Sequence, residues 1–449
     1  MIFHKTKKDI LNGNLAEQIL IFTIPVCGAY LLQLLYQIVD SIVLGRFASV
    51  EAMAAIGGSP LMVINILLNI INGIASGLMI VVAQNYGRGN HEKVNAAVKT
   101  GMFIALVFGG IISIVSAIAA KPLLHAMNCP EETISLSLIY MYLYFLGLVP
   151  FTVYTFGTYI LRATGDSKTS SMFTVVMTVV KIILDVLLTA VFKMGIWGVS
   201  ISTLVSYVVC GAVVLVVLHR TPFSYHYDIK EFGFDLKTLE EIFKIGVPVA
   251  VQSAVFAITN AYASIKVNAF GTNSVAAYSI YNNIDNFYWS FTNAIGAALI
   301  TIVGQNYGNK NMKRVKLALR YGIIIHFVAT IIFGALEYIY CGALASIFTT
   351  DVEVIDITKQ MVQAIAVSYS TYVLVEMISS TLKGCSDSMN SMVIAIIGIC
   401  VVRFLYLYMF EFENAIQVLY CYPISWGITS LIYLIYYLFN DKYRLRQDN

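Results

Sequence analysis

The sequence predicts an all-α polytopic membrane protein with twelve transmembrane helices in two homologous six-helix lobes. Three observations carry this reading. The composition is too apolar for water, apolar runs recur from end to end, and an internal repeat keeps register across the midpoint of the chain.

Of the 449 residues, 59% are hydrophobic and 12% are charged. A soluble chain carries roughly a quarter charged residues. The bilayer is therefore the solvent for most of this one. The net charge of +3 is too small to point to nucleic acid. There are seven cysteines, and Cys27, Cys210, Cys400 and Cys421 fall inside apolar runs, where packing explains them. Cys129 and Cys341 fall in segments assigned to the outside, where a disulfide between them is conceivable. No spacing of His, Cys, Asp and Glu suits a metal, and no cofactor motif is present. The N-terminus does not read as a cleaved signal. Lys5, Lys7 and Lys8 precede a polar start, and the apolar run that follows is too long for a signal's core.

A membrane helix needs about twenty apolar residues. On that criterion the spans fall near 17–45, 53–82, 94–118, 133–158, 169–191, 196–218, 240–268, 275–303, 315–339, 355–380, 391–410 and 415–439. Basic residues fill alternate loops: Arg88 and Lys93, Arg162 and Lys168, Arg220, Lys230 and Lys237, Lys310 to Lys316, Lys383, and Lys442 to Arg446. The other loops carry little beyond Arg46, Lys121 and Lys193. By the positive-inside rule both termini are cytoplasmic, and the location expected is the plasma (inner) membrane. The polar stretch after span six divides the chain into an N-lobe at 1–218, a cytoplasmic linker at 219–238 and a C-lobe at 239–449.

The lobes repeat in sequence. Gln84-Asn85-Tyr86-Gly87 recurs as Gln305-Asn306-Tyr307-Gly308, and Val94, Ala97 and Gly101 match Val315, Ala318 and Gly322 at the same offset. Arg162 to Ser167 matches Lys383 to Ser388 at that offset, and Ile24-Pro25-Val26 matches Val247-Pro248-Val249. Six spans per repeat give parallel topology, with an axis along the membrane normal and the substrate path between the halves. The repeated loop motifs read as structural: Gly87 and Gly308 suit helix C-caps, Asp166 and Asp387 suit N-caps.

These residues resemble the multidrug and toxic compound extrusion (MATE) family over nearly the whole chain. Pro25 through Gln33, Tyr36, Asp40 and Gly45 resemble its first helix. Asp185, Gly195, Gly198, Ser202 and Thr203 resemble its fifth and sixth helices. Gly246, Pro248, Asn268, Gly271, Ala276, Ala277 and Tyr278 resemble the start of its second lobe, and Arg403 an arginine of its eleventh helix. The likeness is nearest to the prokaryotic branch whose cation site lies in the N-lobe. It implies export of bulky, often cationic organic compounds, driven by inward H⁺ or Na⁺. The sequence departs from the family pattern at Lys181, where Asn is usual, and at Val186, where Pro is usual. Both departures bear on the coupling ion.

Ionisable groups in the bilayer core are costly, so each is a functional candidate. The sequence places Asp40, Lys181, Asp185, Lys266, Asp285, Glu376 and Arg403 there. Asp40 and Asp185 lie at similar depth, roughly 10 Å from the outer boundary at 1.5 Å per residue. Two carboxylates in one poorly hydrated cavity repel, so one of them can exchange a proton; the same oxygens would ligate Na⁺ if that were the ion. Tyr36 lies one turn before Asp40, and Thr203 offers a neutral oxygen. Lys181 is too deep to reach either surface and is expected to pair, Asp185 being one turn away. The repeat positions of the two acids hold no acid in the C-lobe, which places coupling in the N-lobe. Asp285 and Glu376 are expected first to neutralise Arg403 or Lys266 as structural ion pairs; the alternative is that either acid attracts a cationic substrate. Pro25 breaks a backbone hydrogen bond mid-helix and gives span one a place to bend.

The sequence thus favours a cation-coupled antiporter, H⁺ before Na⁺, working by alternating access as a monomer on small organic substrates. A flippase for lipid-linked oligosaccharide is the second transporter reading, but it would favour a strongly basic cavity for pyrophosphate. A membrane enzyme would need paired His, a metal motif or a nucleophile with its base, and none is present. A channel is disfavoured by the two homologous halves.

Overall fold

The computed structural model describes residues 10–47, 55–56, 59–127, 129–228, 230, 232–440 and 443, with side chains left out for 37–47. Among the described residues ten helices are long and apolar enough to cross a membrane, and two further pairs do so jointly, each bent at a short break. Each bent pair taken as one span gives twelve. Span one is the helix Leu15–Phe47, span two Ser59–Gly87, span three His91–Ala126 and span six Ile196–Arg220. Spans seven, eight and nine are Leu236–Asn268, Thr272–Gly308 and Met312–Ser346. Their outward faces are lined with exposed Ile, Val, Leu and Phe, as a lipid-facing surface requires.

Four spans are irregular. Span four bends by 46° between Glu131–Leu146 and Leu148–Ala163, and span ten by 44° between Val352–Ala366 and Tyr369–Gly384. Span five is the helix Ser167–Asp185 followed at once by a π-helical turn, Val186–Val191. Span eleven carries a second π turn, Ile396–Val401, between Ser388–Ala395 and Val402–Met409. Such turns interrupt the regular hydrogen-bond ladder and recur at functional positions. Here each abuts a buried charge, Asp185 in one span and Arg403 in the other. Span twelve comprises Ala415–Leu419 and Cys421–Phe439.

Contacts divide the chain into two compact units. One contains Gly28–Ala250, the other Lys8–Cys27 with Val251–Asn449. Both boundaries fall inside a helix, two residues past Pro25 and two past its repeat partner Pro248. The helix of span one runs through Pro25 without interruption. In the first unit, span two meets the start of span seven through small residues. A Cβ at Gly73 would lie 2.3 Å from Ala250 Cα, and one at Gly77 would lie 2.5 Å from the Ile242 carbonyl oxygen and 2.7 Å from Gly246 backbone atoms. Small residues four apart on each helix let the two backbones touch.

The repeat survives as geometry. Asn90 and Asn311 cap spans three and nine, accepting from Lys93 N–H and Arg314 N–H at 3.1 Å each. Asn85 and Asn306 donate to carbonyls one turn back, at 2.9 and 2.8 Å. The expected C-caps need correction. Gly87 and Gly308 are the last residues of their helices, and the left-handed residues are Gly89 (φ 72°) and Lys310 (φ 57°). Asp166 accepts from Thr169 N–H at 3.0 Å as an N-cap does. Asp387 stands at the N-cap position without that bond. Its carboxylate instead accepts from Tyr436 and Tyr443 hydroxyls, at 2.9 Å each. Before span seven, Asp235 accepts from Thr238 N–H at 2.8 Å and from its hydroxyl at 2.7 Å. Those two hydrogen bonds hold the Asp235 carboxyl below its ordinary range. The conceivable bridge between Cys129 and Cys341 is not formed, both being free thiols.

Candidate functional site

Among the described residues the first unit buries three charges, Arg162 on span four and Lys181 and Asp185 on span five. Lys181 and Asp185 are one turn apart on span five, so their side chains meet on one face. Lys181 Nζ lies 2.7 Å from Asp185 Oδ2, and the two side chains are only 5% and 0% exposed. The Ser202 hydroxyl of span six donates to the other oxygen, Oδ1. Both carboxylate oxygens thus have donors. The ammonium also lies 5.5 Å from the centre of the Tyr36 ring on span one, within range of a cation–π contact. Thr203 is buried beside this group, but its hydroxyl donates to its own helix at Val199 O, 2.9 Å away. Asp40 lies on the helix of span one, and its side chain falls outside the described residues.

The structure therefore joins Lys181, Asp185 and Tyr36, and adds Ser202, which sequence reasoning named only as a motif residue while giving the site role to its neighbour Thr203. Successive helical residues point about 100° apart, so only one of the two can face span five. Thr178 and Thr189, on the same span and its π turn, are buried with hydroxyls that have no partner among the described residues.

In the second unit the expected ion pairs are not formed. Arg403 donates to Asn260 Oδ1 at 2.5 Å and to Ser425 Oγ at 3.4 Å, and stacks 4.3 Å from the Tyr422 ring centre. A neutral amide, a hydroxyl and a ring face take up the guanidinium without an acid, and its Nε has no partner among the described residues. Lys266 lies 5.6 Å from the Tyr262 ring centre. Asp285 bonds Tyr369 and Trp289, whose indole N–H is 2.6 Å away. Glu376 accepts from Ser380 at 3.0 Å and Tyr372 at 3.4 Å. Sequence reasoning missed Glu337, a buried acid near the end of span nine.

The MatE family model matches twice, over residues 25–187 and 248–409, once on each sequence repeat. The chain belongs to the MatE family. It is similar to a probable multidrug resistance protein, YoeA, of Bacillus subtilis, 26% identical and covering 93% of this chain and 92% of the relative. It is also similar to a probable multidrug resistance protein, NorM, of Thermotoga maritima, 24% identical with 87% and 84% covered. Its fold matches the outward-facing structure of a multidrug resistance MATE family transporter of the MOP superfamily. That match has a TM-score of 0.89 at 19% identity and covers 96% of this chain and 98% of the other. Membership of MatE makes the protein a multi-pass membrane transporter and not an enzyme. It works without a cofactor, on an ion gradient.

Proposed function

We propose that this MatE protein is an H⁺-coupled antiporter that exports organic, often cationic, compounds by alternating access. The substrate class follows the multidrug resistance names of its relatives. The protein acts as a monomer in the plasma (inner) membrane with both termini cytoplasmic, and its lobes are 1–218 and 239–449 joined by the 219–238 linker. The observation that carries the choice of H⁺ is the Lys181–Asp185 pair at 2.7 Å. An ammonium on Asp185 Oδ2 and a hydroxyl on Oδ1 occupy the oxygens that Na⁺ would need. The ammonium also repels a second cation, by about 4 kcal/mol at 4 Å for an effective dielectric of 20. A proton needs no such coordination shell. It enters at the acids of this lobe, Asp185 and Asp40.

The test is export of a fluorescent organic cation from vesicles containing the protein, with a pH gradient or a Na⁺ gradient imposed separately. The pH gradient should drive export and the Na⁺ gradient alone should not. Export driven by Na⁺ at constant pH would overturn the choice of ion, and no export under either gradient would overturn the antiporter reading.

A further inference from the structure

Span ten is broken between Ala366 and Tyr369. The break is closed by a 3₁₀ turn, Tyr369–Tyr372, and the Tyr369 side chain is fully buried. Its hydroxyl lies against carboxylates from two other helices: Asp285 Oδ1 of span eight, and Glu337 Oε2 of span nine at 2.8 Å. Asp285 also accepts from Trp289 at its second oxygen. Glu337 is 5% exposed, and its second oxygen, Oε1, has no hydrogen-bond partner among the described residues.

A phenol carries one proton. Tyr369 can give it to Asp285 or to Glu337, but not to both. The carboxylate left over then faces an oxygen lone pair at hydrogen-bonding distance, which is repulsive unless that carboxyl brings a proton of its own. Neither acid has a Lys, Arg or His ion-pair partner among the described residues. The other titratable groups near them are Tyr278, Tyr281 and Tyr288 of span eight, with His326 of span nine stacked on Tyr288 and, farther out, Tyr372 and Glu376 of span ten. None is a lysine or arginine. His326 Nε2 is taken up by Thr292 at 3.2 Å, and Glu376 by Ser380, Tyr372 and the nearby Lys383. The charge must be balanced inside the cluster.

We propose that Asp285, Tyr369 and Glu337 form a binding site for one exchangeable proton that latches spans eight and nine to the break in span ten. In the loaded site the Glu337 carboxyl donates to the Tyr369 oxygen, and Tyr369 donates to the Asp285 carboxylate. Release of the proton leaves two carboxylates, one hydroxyl proton and one more buried negative charge. The two acids then separate, and the turn at Tyr369–Tyr372 loses a tie. The cluster lies in the second contact unit and shares no residue with Lys181 and Asp185, so it stands whether or not that pair carries the coupling ion.

Infrared difference spectroscopy on the full chain in liposomes at neutral pH tests the site, with H₂O/D₂O exchange to assign carboxyl C=O bands. The wild type should show a protonated carboxyl that is lost in Glu337→Gln and also in Asp285→Asn, because one remaining carboxylate is satisfied by the Tyr369 proton. A wild type without that band overturns the proposal. So does a band that survives in Glu337→Gln, which places the proton elsewhere, or in Asp285→Asn, which makes it the property of Glu337 alone. Amide exchange across 366–372 tests the latch. Raising the pH should speed exchange in the wild type beyond the intrinsic pH effect, and this excess should vanish in Glu337→Gln. An equal excess in the variant overturns the latch.

Discussion

Lys181 Nζ and Asp185 Oδ2 are 2.7 Å apart, one helical turn from each other and sealed from solvent. The π turn Val186–Val191 begins at the next residue, so the pair sits where the backbone ladder of span five is already irregular. Removing one member of a buried pair leaves a charge with no partner, at about 3–5 kcal/mol. A carboxylate escapes that cost by taking a proton, whereas an ammonium must lose one.

The first prediction follows from this asymmetry. In Lys181→Asn the Asp185 carboxylate loses the ammonium on Oδ2, and with it the charge that repels an entering cation. The pH profile of transport should move upward, and Na⁺ should begin to stimulate transport. Transport measured against pH and against Na⁺ in the same vesicles checks both. Unchanged profiles would make Lys181 a purely structural residue.

Asp185→Asn and Asp40→Asn should each abolish gradient-driven export with expression retained. Ser202→Ala removes only a neutral donor to Asp185 Oδ1. A hydrogen bond to a charged group contributes about 1.5–3 kcal/mol, so this variant should keep transport with a shifted pH profile. Full export by Asp185→Asn under a proton gradient would move the coupling site elsewhere.

What the sequence revealed of this site depended on distance along the chain. Twelve spans and the repeat were legible because each span carries its own hydropathy signal and each loop motif its own residues. Lys181 and Asp185 were legible because four residues is one helical turn. The partners of Tyr369, by contrast, are 84 and 32 residues away, and the partner of Arg403 is 143 residues away. No periodicity reports such meetings. Reasoning from charge alone also assigned Arg403 an acid, although an amide and an aromatic face serve it. The bends in spans four and ten left no hydropathy trace, because each span stays apolar through its break.

The approach of span two to span seven gives a stability prediction. A Cβ at Gly77 would stand 2.5–2.7 Å from backbone atoms of Ile242 and Gly246, which cannot swing aside as a side chain can. Gly77→Ala should destabilise by about 1–3 kcal/mol, the usual cost of overpacking. Gly110 has nothing within 4 Å of the added atom, so Gly110→Ala should be neutral or slightly stabilising. Thermal unfolding in one detergent compares the two. Equal midpoints would show that the helices part without cost.

Asp235 gives a pH prediction outside the membrane. Its carboxylate accepts two bonds from Thr238 at the start of span seven, and these hold its carboxyl below the ordinary range. For an acid whose value is lowered by folding, the stabilisation is present above the unfolded-state value and is lost as pH falls through the folded one. The first turn of span seven should therefore fray on acidification below the usual Asp range, seen as faster amide exchange at 237–240 after correction for intrinsic rates. Asn is as good an N-cap as Asp but does not titrate. Asp235→Asn should then keep the turn protected with no acid transition, while Asp235→Ala should fray at every pH. If Asp235→Asn shows the same acid transition as the wild type, another group controls it, and the two bonds from Thr238 are not what ties this turn to pH.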